Sequence, residues 1–175
     1  MDFATALAHL LEEEGGFVHH VDDPGGCTKD GVTERTYHHW LRTHGRALRS
    51  VRKMTSEERD EIYRTEYWQR AHCEDAPPLL RLALFDAAVN CGVTRAVKWA
   101  QAAAGTIADG AVGPNTRAAW RNSDAWRLLE DFLAARRRHH ATIVVTNPAL
   151  RTFLPGWALR CERVRVTCLA LQVVA

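Results

Sequence analysis

Two glycine pairs, Gly15-Gly16 and Gly25-Gly26, constrain this chain more than any other feature. A helix is not sustained through adjacent glycines, which lose the most backbone freedom on ordering. The opening segment, MDFATALAHLLEEE, therefore ends by Glu14. Within it Phe3, Leu7, Leu10 and Leu11 recur at helical spacing. This predicts a helix from Asp2, as N-cap, to about Glu14, with Gly15-Gly16 as its stop. From 17 to 34 no helical period appears. Asp22-Asp23-Pro24-Gly25-Gly26 is turn chemistry, and Cys27 to Thr33 suits a short strand or hairpin.

The rest reads as helices punctuated by caps and breakers. Thr33 caps a helix to about Thr43. Thr55 and Glu58 have capping-box spacing and open a helix that runs to about Trp68. Pro77-Pro78 starts a helix with Leu79, Leu82, Phe85 and Val89 on one stripe, and Gly92 ends it. A helix over 94–104 follows, then a turn at Asp109–Pro114. Asn115 or Thr116 caps a short helix to Trp120, and Ser123 opens a long one toward Val145. Asn147-Pro148 breaks the chain, and Pro155-Gly156-Trp157 precedes the last helix. The expected fold is mainly α, with one small irregular or β-hairpin insert near 17–34. There is no repeat and no low-complexity segment.

Composition removes several function classes. The 175 residues are 46% hydrophobic and 25% charged, with a net charge of +2. That balance gives no general electrostatic case for nucleic acid as partner. The run Arg136-Arg137-Arg138-His139-His140 is either a solvated helix face or a docking strip for an anionic polymer. No run approaches 18 apolar residues, so no membrane insertion is expected. The N-terminus lacks a basic region and a small-residue cleavage site, so it does not read as a signal peptide. The five cysteines (27, 73, 91, 161 and 168) are odd in number and form no CxxC, and are expected as reduced thiols.

Carboxylates are unwelcome at a helix C-terminus, where the dipole is negative. Yet Glu12, Glu13 and Glu14 all stand there. Positions 3, 7, 10 and 14 step by 4, 3 and 4, so Glu14 alone continues the apolar stripe. Partial burial, neighbouring like charges and the dipole all favour its neutral form. A carboxylic acid held protonated near neutral pH is what a general acid needs. A surface acid on a frayed helix end is the plainer alternative. Asp23 follows after a glycine stop and a turn, and Thr28 after the second glycine pair. Two carboxylates across a cleft, with a hydroxyl to hold water, suit glycoside hydrolysis.

The same residues carry a resemblance. Glu14-Gly15-Gly16-Phe17-Val18, then Asp22-Asp23-Pro24-Gly25-Gly26-Cys27-Thr28-Lys29-Asp30-Gly31-Val32-Thr33, resembles the signature of glycoside hydrolase family 108, the N-acetylmuramidases of phage endolysins and related bacterial enzymes. Ile62-Tyr63-Arg64-Thr65-Glu66-Tyr67-Trp68 and Phe85-Asp86-Ala87-Ala88-Val89-Asn90-Cys91-Gly92 are similar to later segments of that family. Ala96-x-x-x-Ala100-Gln101, Asp109–Thr116 and Phe153-Leu154-Pro155-Gly156-Trp157 are similar to the predicted peptidoglycan-binding domain that usually follows. Phe17 stands where the family often has Tyr, His19-His20 replaces a more usual polar pair, and Cys27 fills a commonly small position.

The resemblance implies a lysozyme-like catalytic region over 1–92 and a helical peptidoglycan-binding region over 93–175, packed as one compact unit. It implies cleavage of the β-1,4 bond between N-acetylmuramic acid and N-acetylglucosamine, with Glu14 as catalytic acid and Asp23 and Thr28 as its partners. Tyr67 and Asn90 are candidate substrate-binding residues. The partner is the peptidoglycan glycan strand, and no cofactor is needed. The chain is expected to act as a monomer on the cell wall, after release from the cytoplasm by a holin or by a dedicated secretion route.

Other chemistries remain beside this one. His19, His20, Cys27, His38, His39, His44, His72 and Cys73 supply metal donors, but at no standard zinc spacing, so no metal is expected. Cys27 with His19 or His20 is a weak signal for a cysteine nucleophile. The alternative from another class is a non-catalytic peptidoglycan-binding module, for which residues 96–157 would suffice. The turn at Asp109–Pro114 either serves such binding or only packs two helices. Asp86 and Asn90 share a helix face, lining a cleft or joining a packing network. Tyr63, Tyr67 and Trp68 either stack on sugars or fill the core.

Overall fold

A computed structural model describes residues 1–14 and 27–173, without the side chains of 13, 14 and 171–173. The backbone divides into two compact units, one of residues 3–66 and one of residues 1–2 and 67–175. Helices dominate both, so the protein is mainly α.

In the first unit, α1 (Phe3–Glu14) buries Phe3, Ala6, Leu7 and Leu10 along one stripe. The Arg64 guanidinium lies over the Phe3 ring at 4.2 Å. Strands β1 (Thr28–Lys29) and β2 (Val32–Thr33) pair antiparallel, with Thr28 opposite Thr33 and Lys29 opposite Val32. Asp30 and Gly31 link them at φ +48° and +76°. Positive φ at both central residues is the primed turn that matches strand twist, and Asp-Gly is its favoured sequence. The expected hairpin therefore forms at Cys27–Thr33.

Thr33 caps α2 (Glu34–Thr43) by accepting from the Thr36 amide. Thr55 and Glu58 complete the capping box of α3 (Ser56–Ile62). Beyond Ile62 the helix loosens into a π-helical stretch, Tyr63–Gln69, which the sequence pattern does not announce. The buried Glu58 carboxylate does more than cap. It accepts from Tyr37 Oη at 2.7 Å and Arg46 Nη1 at 2.8 Å, and it also pairs with Arg49.

In the second unit, α4 (Pro78–Cys91) is apolar nearly all round and packs on α5 (Val93–Ala103), α7 (Ala125–Thr146) and α8 (Leu154–Val173). A helix hydrophobic on every side belongs inside a bundle. Three boundaries differ from expectation. α6 (Pro114–Asn122) begins at its proline, with Gly113 as N-cap, because proline's preset φ and missing N–H suit the first turn. Asp124, not Ser123, caps α7; Ser123 instead closes α6, its hydroxyl donating to the Ala119 carbonyl at 2.8 Å. α8 starts at Leu154, so Pro155-Gly156 lie inside its first turn.

The turn at Asp109–Pro114 packs α5 against α6. Gln101, fully buried, donates to Asp109 Oδ1 (2.8 Å), the Ala111 carbonyl (3.0 Å) and Thr116 Oγ1 (3.2 Å), and accepts from the Gly110 amide (2.8 Å). Gly110 has φ +88°, and a Cβ there would meet Thr94 Cγ2 at 2.9 Å. None of the described helices is long and apolar enough to cross a membrane. All five cysteines are unpaired.

Candidate active site

α1 delivers Glu14 as its final helical residue, immediately before the first glycine pair. No basic side chain lies in that last turn to offset the negative helix end. The exposed Glu12 lies 3.8 Å from His9 Nδ1, too long for more than a weak ion pair. The Glu14 carboxyl itself, and Asp23 altogether, lie outside the described residues. The reading of Glu14 as core-facing and of Asp23 as its partner concerns those atoms.

Thr28 opens the hairpin, half-buried, and its hydroxyl has no hydrogen-bond partner among the described residues. The hairpin is held from three sides. Lys29 Nζ donates to the Met54 carbonyl at 2.7 Å and the Arg52 carbonyl at 3.3 Å. Tyr63 Oη donates to the Asp30 carbonyl at 2.8 Å. The Glu34 amide donates to the Cys27 carbonyl at 2.8 Å. Thr28 thus stands on a short but braced strand, one residue past Cys27. Tyr63, the first residue of the π-helical stretch, is a brace for that hairpin and is fully buried. Trp68 is buried too, edge-on to Phe85 at 5.4 Å with Nε1 donating to Glu74 at 2.9 Å. Of the three aromatics of that segment, only Tyr67 is half-exposed.

Asn90 is exposed near the end of α4, and its Oδ1 accepts from Arg136 Nη2 and Cys91 Sγ, both at 3.4 Å. Its amide nitrogen has no partner among the described residues. Asp86, one turn earlier, is not available to a ligand. It is 1% exposed, 2.5 Å from Arg136 Nη1, and accepts from Arg160 Nε at 2.9 Å. Asp86 therefore belongs to the packing network, and Arg136 is no solvated charge. Arg136 is fully buried, as the spacing Leu129, Phe132, Leu133, Arg136, His140 indicates on inspection. Among the described residues no group of three or more His, Cys, Asp or Glu is arranged to hold a metal.

Glu14 and Thr28 lie in the first unit, Tyr67 and Asn90 in the second. The sequence reading missed the π-helical backbone around Tyr67. Such single-turn widenings recur at functional sites, but they have no compositional signal.

Comparison with known proteins places these residues in a family. The model described as glycosyl hydrolase 108 matches residues 7–92, a span that contains all five candidates. A model described as a predicted peptidoglycan domain matches residues 95–162. No curated protein matches the chain. Among solved structures, one described as the structure of Brucella abortus SagA is 35% identical, covers 96% of this chain and 94% of its own, and superposes with a TM-score of 0.81. With that identity over nearly the whole length, the chain belongs to the glycosyl hydrolase 108 family and is a glycoside hydrolase of peptidoglycan.

Proposed function

We propose that this chain is an N-acetylmuramidase that hydrolyses the β-1,4 bond between N-acetylmuramic acid and N-acetylglucosamine, with Glu14 as the general acid. The observation that carries the reading is the position of Glu14 within the family match. It is the last residue of α1, at a helix end that opposes an anion and whose last turn holds no basic residue. A carboxyl in that setting is biased toward the protonated form that a leaving-group oxygen requires. Asp23 and Thr28 complete the set. Asp23 activates water or steadies the oxocarbenium-like transition state, and the Thr28 hydroxyl positions that water. Tyr67 stacks against a sugar ring and Asn90 donates to an acetamido or hydroxyl oxygen. The chain acts on the wall after release by a holin or a dedicated route; wall lysis by cytoplasmic expression only when a holin is co-expressed supports the first.

The bond is tested by digesting purified peptidoglycan and reading the new reducing ends by mass spectrometry. Reducing-end N-acetylmuramic acid is expected; reducing-end N-acetylglucosamine contradicts the assignment. The anomeric configuration of the first-formed product, followed by NMR, fixes the role of Asp23. Inversion requires carboxyls about 6.5–9.5 Å apart with water between them, and retention about 5–5.5 Å. A retained anomer rules out water activation by Asp23.

A further inference from the structure

The second unit carries a chain of ring contacts that catalysis does not use. Trp99 on α5 meets His139 on α7, centroids 5.3 Å apart. His139 adjoins His140 at 6.2 Å, and His140 meets Trp157 on α8 at 5.0 Å. Phe153, just before α8, stacks on Trp157 at 6.1 Å with 22° between the planes. Phe132 backs Trp99 edge-on from the core. The row ends at the surface, where Trp157 is half-exposed and Phe153 is 53% exposed. A solvent-facing ring stacked on another solvent-facing ring gains little from burial. It does present a flat face of negative quadrupole.

We propose that Trp99, His139, Trp157 and Phe153, backed by the buried His140, form the wall-binding face of this chain, a ladder on which the sugar rings of a peptidoglycan strand stack. The apolar C–H face of a β-linked N-acetylhexosamine lies flat on such rings. A cation flanks the row as well. Arg95 stands four residues before Trp99 on α5 and so shares its face, with Nη1 donating to the Cys91 carbonyl at 2.7 Å. Its remaining N–H groups suit the carboxylates of stem peptides on the strand.

Two other surfaces of the same unit serve this ligand less well. The groove of about 500 Å³ between Ala102–Gly105 and Ser123–Asp131 has no aromatic ring, and its Arg127 is paired with Asp131 at 3.6 Å. That lining offers a sugar nothing to stack on. Trp126 is 48% exposed, but the Arg165 guanidinium sits over its ring at 5.5 Å. All the ladder residues and Arg95 fall within the matched peptidoglycan domain, residues 95–162. The proposal rests on the assignment of peptidoglycan as substrate and adds where the strand is held.

The test is co-sedimentation of the full chain with purified insoluble peptidoglycan on ice, in the Glu14→Gln background to limit digestion. Phe153→Ala and His139→Ala are expected to weaken binding about three- to tenfold each, and Phe153→Trp to retain it. Asp131→Ala, in the groove without rings, is expected to bind as the parent does. Asp131→Ala in otherwise wild-type enzyme should also leave hydrolysis of short soluble glycan fragments unchanged. Equal binding by Phe153→Ala, His139→Ala and the parent overturns the ladder. If binding weakens as expected while wild type releases no fragments, the ladder stands and the hydrolase reading fails.

Discussion

At the scale of single residues, the candidate site contrasts a helix-end carboxyl with a hydroxyl on a braced strand. Thr28→Ala should lower kcat/KM about three- to tenfold, the worth of one hydrogen bond, and leave the melting temperature nearly unchanged. A large loss of stability instead would make Thr28 structural. His140 gives a pH-dependent expectation. Burial, then Arg136 and His139, lower its pKa to about 4, against a smaller opposing pull from Asp86; Cys91 Sγ lies 3.8 Å from its Nε2. Between about pH 6.5 and 4 the unfolded chain binds a proton at this position that the native chain does not. Stability should therefore fall as pH falls through that window, and His140→Gln should flatten the slope, as measured by thermal melts at stepped pH. An identical slope in the variant contradicts it. The end of α1 at Glu14 was legible because a glycine pair follows it in the sequence. The buried Asp86–Arg136–Arg160 cluster was half-legible. Arg136 sits on an apolar stripe, but its neighbours Arg137 and Arg138 disguise it as part of a solvated run.

At the scale of elements, local chemistry explains most boundaries. Thr33, the Thr55–Glu58 box, Asp30-Gly31 and Gly92 each perform the role their residue type suggests. The differences arise where two signals compete. Ser123 and Asp124 are both good caps, and the structure uses the first to finish α6 and the second to start α7. The π-helical stretch had no signal, because its widened turn answers to packing around Tyr63 and Trp68 rather than to propensity. Gly31→Ala should destabilise by about 1–2 kcal/mol, because φ +76° places a Cβ against the following carbonyl. It should lower activity as well, since the hairpin carries Thr28. Chemical denaturation paired with activity checks both, and a silent Gly31→Ala would mean that the turn does not position the strand. Thr55→Ala should cost about 1 kcal/mol through loss of the cap.

At the scale of the molecule, α4 shows why sequence motifs and packing divide the chain differently. The hydrolase family match ends at residue 92 and so includes α4, whereas α4 packs with α5, α7 and α8. A motif records what evolves together, and a contact records what is buried together. Holding α4 to α7 and α8 is the ion cluster of Asp86 with Arg136 and Arg160. Asp86→Ala leaves one guanidinium wholly buried without its carboxylate and should cost about 3–5 kcal/mol, while the apolar pair Asp86→Leu with Arg136→Met should recover most of that. Equal losses in both variants would contradict the assignment of the cost to an unpaired charge.

The central claim is that Glu14 is the acid of a peptidoglycan glycosidase. The most direct measurement compares wild type and Glu14→Gln on purified peptidoglycan, scoring soluble muropeptides by mass spectrometry. The account predicts fragments from wild type and a rate about 10²–10⁴-fold lower for the variant, with undiminished binding to the wall. Fragment release by Glu14→Gln at the wild-type rate would contradict it.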